Sequence, residues 1–173
     1  MSMRFQAYGI RVDYPEQYRI YFSQNQKFQF EEGVVKFDDP AGADNGRASL
    51  TISWEPAAHT EQFAEKYLEA AETHYQKKMK NRYNILEKKL QECDGHETAY
   101  LHVRIASSTH VLKPLGKSIL LELIQTARYC PETNRIVIAT AMAEKAYLQT
   151  HQAEFEAMLS SISCHADIFP GKP

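Results

Sequence analysis

The sequence predicts an α+β protein, a three-layer α/β/α sandwich whose sheet is largely antiparallel. Two runs of alternating apolar residues, at 9–54 and 83–142, are typical of strands. Each run is followed by a segment with helical periodicity, at 60–80 and at 150–163. Strands that follow one another without an intervening helix pair antiparallel through short turns, which argues against βαβ units. One helix is therefore expected on each face of the sheet.

Five short strands are predicted before the first helix, at 9–14, 18–22, 27–30, 34–37 and 48–54. The last is the clearest, because Ala48, Leu50, Ile52 and Trp54 alternate with small polar residues. The preceding segment, 38–46, is rich in Asp, Gly and Pro, and we interpret it as a hairpin loop. This aromatic-rich half of the chain also supplies candidate anchors for an interface with another protein.

The first helix is predicted to begin at Thr60, a good N-cap, with Glu61 in its positive first turn. Lysines gather at its negative end, and Asn81 suits the stop. Its apolar stripe has fourfold spacing and comprises Phe63, Tyr67, Ala71, Tyr75 and Met79.

Two hairpins are predicted in the second half of the chain. Asp94 and Gly95 are a strong hairpin turn signal, and residues 131–134 make the other turn. The four strands are expected at 83–90, 98–106, 118–129 and 134–142, before a helix with a stripe of Phe155, Met158, Leu159 and Ile162. The apolar faces predict a core that contains Leu50, Ile52, Phe63, Leu101, Val103, Leu121, Leu123, Ile136, Ile138, Phe155 and Leu159.

Length and composition fit one globular domain. The chain has 173 residues, of which 43% are hydrophobic and 24% are charged. We expect a single domain over residues 1–165 and a frayed C-terminal tail over 166–173, where the apolar periodicity ends. The net charge of −2 excludes binding to nucleic acid by bulk charge, so no nucleic-acid partner is expected.

The order of elements and several short motifs resemble one known group of proteins. An aromatic-Gly-apolar run leads into Tyr-Pro and a further aromatic at 8–18 (YGIRVDYPEQY), where Tyr18 replaces the Trp of many relatives. A glycine hairpin precedes an Ala-containing strand at 94–99 (DGHETA), and a helix ending in Ser follows Tyr147 at 155–161 (FEAMLSS). With the strand and helix between them, these motifs resemble the PsbP-like superfamily, which includes the photosystem II PsbP subunit and the Ran-binding Mog protein.

That resemblance implies a fold and a class of function. It implies a non-enzymatic protein-binding or assembly module, adaptor- or chaperone-like, whose partner is another protein. No Ran-binding or photosystem residues match in this chain, so neither of those activities transfers.

The motifs of common enzymes and cofactor sites are incomplete. The LGKS run at 115–118 lacks the glycine that a P-loop needs at position 111, and no G-x-S-x-G occurs. The Cys93/His96 and Cys164/His165 pairs lie on different predicted elements, whereas zinc needs four convergent ligands. We therefore predict no catalytic residues, no cofactor and no metal.

One polar face is the candidate binding site. The strands 98–106 and 118–129 are predicted to pair across the loop 107–117; if Ala106 faces Ser118, His102 falls opposite Glu122. This face would carry Tyr100, His102, Arg104 and Glu122. Two interpretations stay open: a stabilising charge pair on a partly wet face, or the polar floor of a cleft. The second gives the alternative function, a small-ligand-binding protein or enzyme.

The sequence shows no signal for export or membrane insertion. The N-terminal MSMRFQ run precedes no apolar segment of a signal peptide, and no stretch is long enough for a membrane helix. The three cysteines are odd in number and widely spaced, unlike the even frameworks of secreted domains. The expected location is cytoplasmic, without a membrane partner.

Overall fold

A computed structural model describes residues 1–40, 48–108 and 118–167. Its elements are β1 (Ser2–Ala7), β2 (Ile10–Pro15), β3 (Arg19–Tyr21), β4 (Gly33–Asp38), β5 (Ser49–Pro56), α1 (Phe63–Met79), β6 (Tyr83–Cys93), β7 (His96–Ser108), β8 (Ser118–Cys130), β9 (Arg135–Glu144) and α2 (Lys145–Ser160). Most of the loops predicted at 38–46 and 107–117, and the tail beyond 167, lie outside the described residues. Across the described ranges, none of the helices has the length and apolar character needed to span a membrane.

The main sheet has seven strands in the order β3-β4-β5-β9-β8-β7-β6, and every neighbouring pair is antiparallel. Strand β9 lies between β5 and β8, so the last strand of the chain joins the N-terminal strands to the second half. Strands β1 and β2 form a separate hairpin. The prediction of a largely antiparallel α+β sheet is confirmed.

The two helices cover opposite faces of the sheet. On β7, Leu101 and Val103 pack with the α1 residues Leu68 and Tyr75. Tyr100, the residue before Leu101, points to the other face and belongs to the core cluster that contains the α2 residues. The N-terminal hairpin lies in the α2 layer, because Arg11 exchanges backbone hydrogen bonds of 3.1 and 2.9 Å with Ser163. The predicted three-layer sandwich is therefore present.

Burial is uneven between the two faces. Six of the predicted core residues are buried: Leu50, Ile52, Leu101, Val103, Phe155 and Leu159. The other five are only half-buried: Phe63, Leu121, Leu123, Ile136 and Ile138. On β8 and β9 these apolar residues point toward the α1 side. The α2 side, also covered by the N-terminal hairpin, buries Glu122 and Arg135 instead.

Element boundaries differ from the prediction at four places. Strand β1 was not predicted; it pairs with β2 through a two-residue turn in which Tyr8 and Gly9 both have positive φ, 53° and 80°. Residues 27–30 form no strand, and only an isolated bridge joins Phe28 to Gly33 of the main sheet. Helix α1 begins at Phe63 because the Thr60 hydroxyl donates to Ala58 O (3.3 Å) and caps nothing. Helix α2 begins at Lys145, five residues before the predicted start.

Candidate functional site

The pairing of β7 with β8 places the predicted polar face differently along the strands. Ser108 stands opposite Ser118, so Arg104 is opposite Glu122 and His102 is opposite Ile124. The predicted register, with Ala106 opposite Ser118, is wrong by two residues. A shift of two residues leaves each side chain on the same face, because the side-chain period of a strand is two. The predicted residues therefore still share the α2 face.

Glu122 is the centre of a buried polar cluster with His102 and Arg104. Its side chain is 1% exposed. Arg104 donates from Nε and Nη2 to Glu122 Oε1 at 2.9 and 2.7 Å, and His102 Nε2 lies 3.0 Å from Oε2. His102 reaches the carboxylate from the diagonal position, which is within range for a long side chain. The contacts among these three residues were expected, although the register was not.

Tyr100 does not join this cluster. Its hydroxyl lies 3.5 Å from Glu156 Oε1, and Lys89 Nζ lies 4.5 Å from the centre of its ring. Burial, together with the charge of Glu156, raises the pKa of Tyr100 well above its usual value. Tyr100 lines an open cavity of about 310 Å³ with Lys89, Thr126, Glu156 and other residues, and it is the only one of the four predicted site residues there.

The Glu122 cluster has little freedom to act on a substrate. Both carboxylate oxygens already have a partner, and a general base must reach the proton that it removes. His102 is 7% exposed, so the imidazole is also enclosed. The geometry favours a polar tie between two strands. Binding of a ligand or partner at this face stays a prediction.

Aromatic side chains gather on the N-terminal hairpin and the segment after β3. We call Phe5, Tyr8, Phe22 and Phe28 the aromatic patch. Ring centroids are 4.6 Å apart for Phe22 and Phe28, 5.1 Å for Tyr8 and Phe28, and 6.4 Å for Phe5 and Phe22. Phe22 is 52% exposed and Tyr8 is 42% exposed, so the patch offers a contiguous aromatic surface to solvent.

Four side chains of metal-ligand type also converge, although the sequence predicted no metal site. One ligand atom each from His96, Cys130, Cys164 and His165 lies within 4.8 Å of all the others. The sequence predicted no metal because its candidate ligands lie on different elements. The fold nevertheless brings four of them together. Cys93 is not part of this group, since its sulfur lies 3.7 Å from Ser160 O. The adjacent Cys164-His165 pair was visible in the sequence, but no spacing connected it to Cys130 or His96.

Comparisons with known proteins identify the fold. No protein-family model and no curated protein matches this chain significantly. It is similar to the solution structure of cyanobacterial PsbP (CyanoP) from Synechocystis sp. PCC 6803, with a TM-score of 0.65, 10% identity, and coverage of 94% of this chain and 92% of that chain.

Two other solved structures are similar over more than nine-tenths of their length. PA94, a protein of unknown function from Pseudomonas aeruginosa, has a TM-score of 0.58 at 15% identity, with 99% of this chain and 98% of that chain covered. LpqN, involved in cell envelope biogenesis of Mycobacterium tuberculosis, has a TM-score of 0.53 at 11% identity, with 94% and 91% covered. The predicted PsbP-like fold is confirmed, and at these identities the likeness shows the fold alone.

Proposed function

We propose that this protein is a non-enzymatic protein-binding or assembly module, adaptor- or chaperone-like, that contacts another protein through the aromatic patch. The observation that carries the proposal is the exposure of Tyr8 and Phe22 around the ring of Phe28. Aromatic residues are enriched in protein interfaces, where they act as anchors in the buried centre. A small exposed aromatic cluster is therefore a suitable contact surface for a protein partner.

The backbone at Tyr8 adds support for this surface. Tyr8 occupies the left-handed region at φ 53°, which costs a non-glycine residue roughly 1–2 kcal/mol. A glycine or asparagine would make the same two-residue turn without this cost. The chain nevertheless places a large aromatic side chain there, exposed and beside Phe28. Strained positions of this kind cluster at functional sites.

Two further observations favour a module without catalytic activity. The buried Glu122 carboxylate is held by Arg104 and His102, so it is not available to a substrate. None of the three similar structures is described as an enzyme. The proposal includes a reducing compartment such as the cytoplasm, because all three cysteines are free thiols.

The second candidate function is binding of a small ligand beside the sheet. The open cavity next to Tyr100, at about 310 Å³, falls at the lower end of the range for ligand sites. A ligand there would contact Tyr100 and Lys89 and would leave the buried Glu122 cluster untouched. This alternative is weaker than the first, because Tyr100 is the only one of the four residues expected to form the floor that lines the cavity.

Photo-crosslinking in the native cells tests the proposed function. A photoreactive amino acid at position 22 is expected to form a discrete adduct with a partner protein, and one at Leu120, 40% exposed on β8, is expected to form none. The Tyr8→Gly substitution removes one anchor but relieves the strained turn. We expect it to lower the adduct yield at position 22 at least tenfold, while the free energy of unfolding changes by less than about 1 kcal/mol. Equal adducts at both positions, or a yield that Tyr8→Gly does not change, would contradict the proposal.

A further inference from the structure

We propose that His96, Cys130, Cys164 and His165 form a structural zinc site at the end of the sheet where the β6–β7 and β8–β9 turns meet the C-terminal segment. His96 is the first residue of β7, directly after the Asp94-Gly95 turn, and Cys130 is the last residue of β8. Cys164 and His165 follow α2. The four ligands therefore come from three separate parts of the chain that only the fold brings together.

The segment that carries Cys164 is fixed by hydrogen bonds independent of any metal. Asp94 Oδ2 accepts from the backbone N–H of Cys164 at 3.3 Å, and Arg135 Nη2 donates to Cys164 O at 3.1 Å. Arg128 Nη2 donates to Ile162 O at 2.6 Å, two residues before Cys164. These contacts hold the segment against both turns, so the ligands are positioned before an ion binds.

Two of the six distances between the ligand atoms fit a tetrahedral zinc ion closely. Bonds of about 2.05 Å to nitrogen and about 2.3 Å to sulfur place two nitrogen ligands about 3.3 Å apart, and a nitrogen and a sulfur about 3.6 Å apart. His96 Nε2 and His165 Nδ1 are 3.4 Å apart. Cys164 Sγ and His165 Nδ1 are 3.7 Å apart. Both distances lie within about 0.2 Å of these ideal values. The other four distances between ligand atoms are at most 4.8 Å.

Burial and charge also fit. Cys130 and Cys164 are fully buried, and a divalent ion there needs compensating charge. The two thiols lose their protons to solvent when the ion binds, so two thiolates and two neutral imidazoles give a neutral site. The side chain of His165 is 28% exposed, which gives an ion a path from solvent.

The ligand set points to zinc in a structural role. Two sulfur and two nitrogen donors in a tetrahedron suit Zn²⁺, and four protein ligands leave no open position for a substrate. Bound zinc would link the β6–β7 turn, the end of β8 and the segment after α2. The site shares no residue with the aromatic patch, although the N–H of Ala166, next to His165, donates to the carbonyl of Gly9, next to Tyr8, at 2.9 Å. Metal binding is measured separately from partner binding, so either proposal can fail without the other.

Two carboxylates compete for the same atoms. Asp94 Oδ2 lies 3.5 Å from His165 Nδ1. Glu132 Oε2 lies 3.2 Å from His96 Nε2 and 3.4 Å from Cys130 Sγ. Its side chain is 45% exposed and can turn toward solvent when the ion binds. We therefore expect Glu132→Gln to keep the site intact, whereas loss of either thiol destroys it.

A cobalt titration of the reduced, chelator-treated protein tests the site. We expect one equivalent of Co²⁺ per chain to give the visible bands of tetrahedral cobalt and a near-ultraviolet thiolate charge-transfer band, both displaced by one equivalent of Zn²⁺. The bands should persist in Cys93→Ser, which removes the thiol outside the group, and in Glu132→Gln. They should disappear in Cys130→Ser and in Cys164→Ser. The melting temperature of the wild type should rise with Zn²⁺ and level off at one equivalent.

A milder variant keeps the test valid if a buried cysteine variant fails to fold. His165→Gln replaces the most exposed ligand, and we expect a loss of zinc affinity of at least about tenfold without loss of the folded circular-dichroism spectrum. Absence of a charge-transfer band in the folded wild type would overturn the proposal. So would a band that survives Cys130→Ser, or a Cys130–Cys164 disulfide in protein purified under reducing conditions.

Discussion

At the scale of single residues, the most unusual feature is a fully buried carboxylate that is held from two sides. Glu122 accepts two hydrogen bonds from Arg104 and faces His102, with 1% of its side chain exposed. Such a pair is costly to desolvate, so its formation contributes little net stability, whereas removal of one partner leaves a buried charge alone. The cluster therefore adds little to the stability of the fold, but it disfavours any pairing of β7 and β8 that would separate Glu122 from Arg104 and His102.

Substitution of Glu122 tests this view. We expect Glu122→Gln to lower the free energy of unfolding by about 3 kcal/mol, because Arg104 keeps a half-buried charge without its counterion. The double variant Glu122→Leu/Arg104→Met should recover much of that loss, since two apolar side chains can replace the pair. Urea unfolding of both variants, with the exposed Glu97→Gln as control, measures the effect. A cost below about 1 kcal/mol for Glu122→Gln would mean that the pair is not intact in solution.

At the scale of elements, two glycines occupy positions where a larger residue would disturb the strands or the turn between them. Gly33 on β4 stands opposite Trp54 on β5, and a Cβ there would lie within 2.8 Å of the indole ring. Gly95 is in the turn between β6 and β7, where φ is +76° and the surrounding space is open. Packing against Trp54 excludes a side chain at position 33, whereas the left-handed backbone conformation disfavours one at position 95.

The two alanine substitutions should therefore differ in size. We expect Gly33→Ala to cost about 3 kcal/mol, because the indole, whose Nε1 donates to Gln29 O at 2.9 Å, must move. Gly95→Ala should cost about 1 kcal/mol, because only the left-handed conformation is penalised. Thermal unfolding at one protein concentration compares them. The opposite order of the two costs would show that Trp54 does not occupy the position above Gly33.

At the scale of the whole molecule, the sheet order decides where the fold is most resistant to opening. Strand β9 is the central strand of the seven, with three strands on each side, and it pairs antiparallel with β5 and β8. Strand β6 is an edge strand whose eleven residues are mostly exposed. Local opening begins where few buried contacts hold the backbone.

Hydrogen exchange followed by mass spectrometry should reflect this order. Within the main sheet, we expect peptides from β9 to exchange slowest, and those from β3 and β6, at its two edges, to exchange fastest. About half of the β6 amides face away from β7 and have no partner in the sheet. Protection of β6 equal to that of β9 in the isolated monomer would contradict the strand order.

The sequence by itself determined what depends on neighbouring residues. Alternation and helical spacing predicted two runs of strands, each followed by a helix, and the Asp94-Gly95 turn was predicted and is present between β6 and β7. The shared face of His102, Arg104 and Glu122 was also predictable, because a two-residue error in register leaves every side chain on its own face. The face on which a side chain lies follows from the alternation along its own strand, so an error of two residues in the pairing does not change it.

Only the tertiary structure decided what depends on distant parts of the chain. The placement of β9 between β5 and β8 has no local signal, since the pairing of β5 with β9 joins residues 79 to 93 positions apart. The same holds for His96, Cys130, Cys164 and His165, which meet only after both hairpins and the segment behind α2 have packed. Sequence spacing predicts a metal site when the ligands share one short motif. Here the ligands are supplied by three separate segments, so their convergence is a property of the fold.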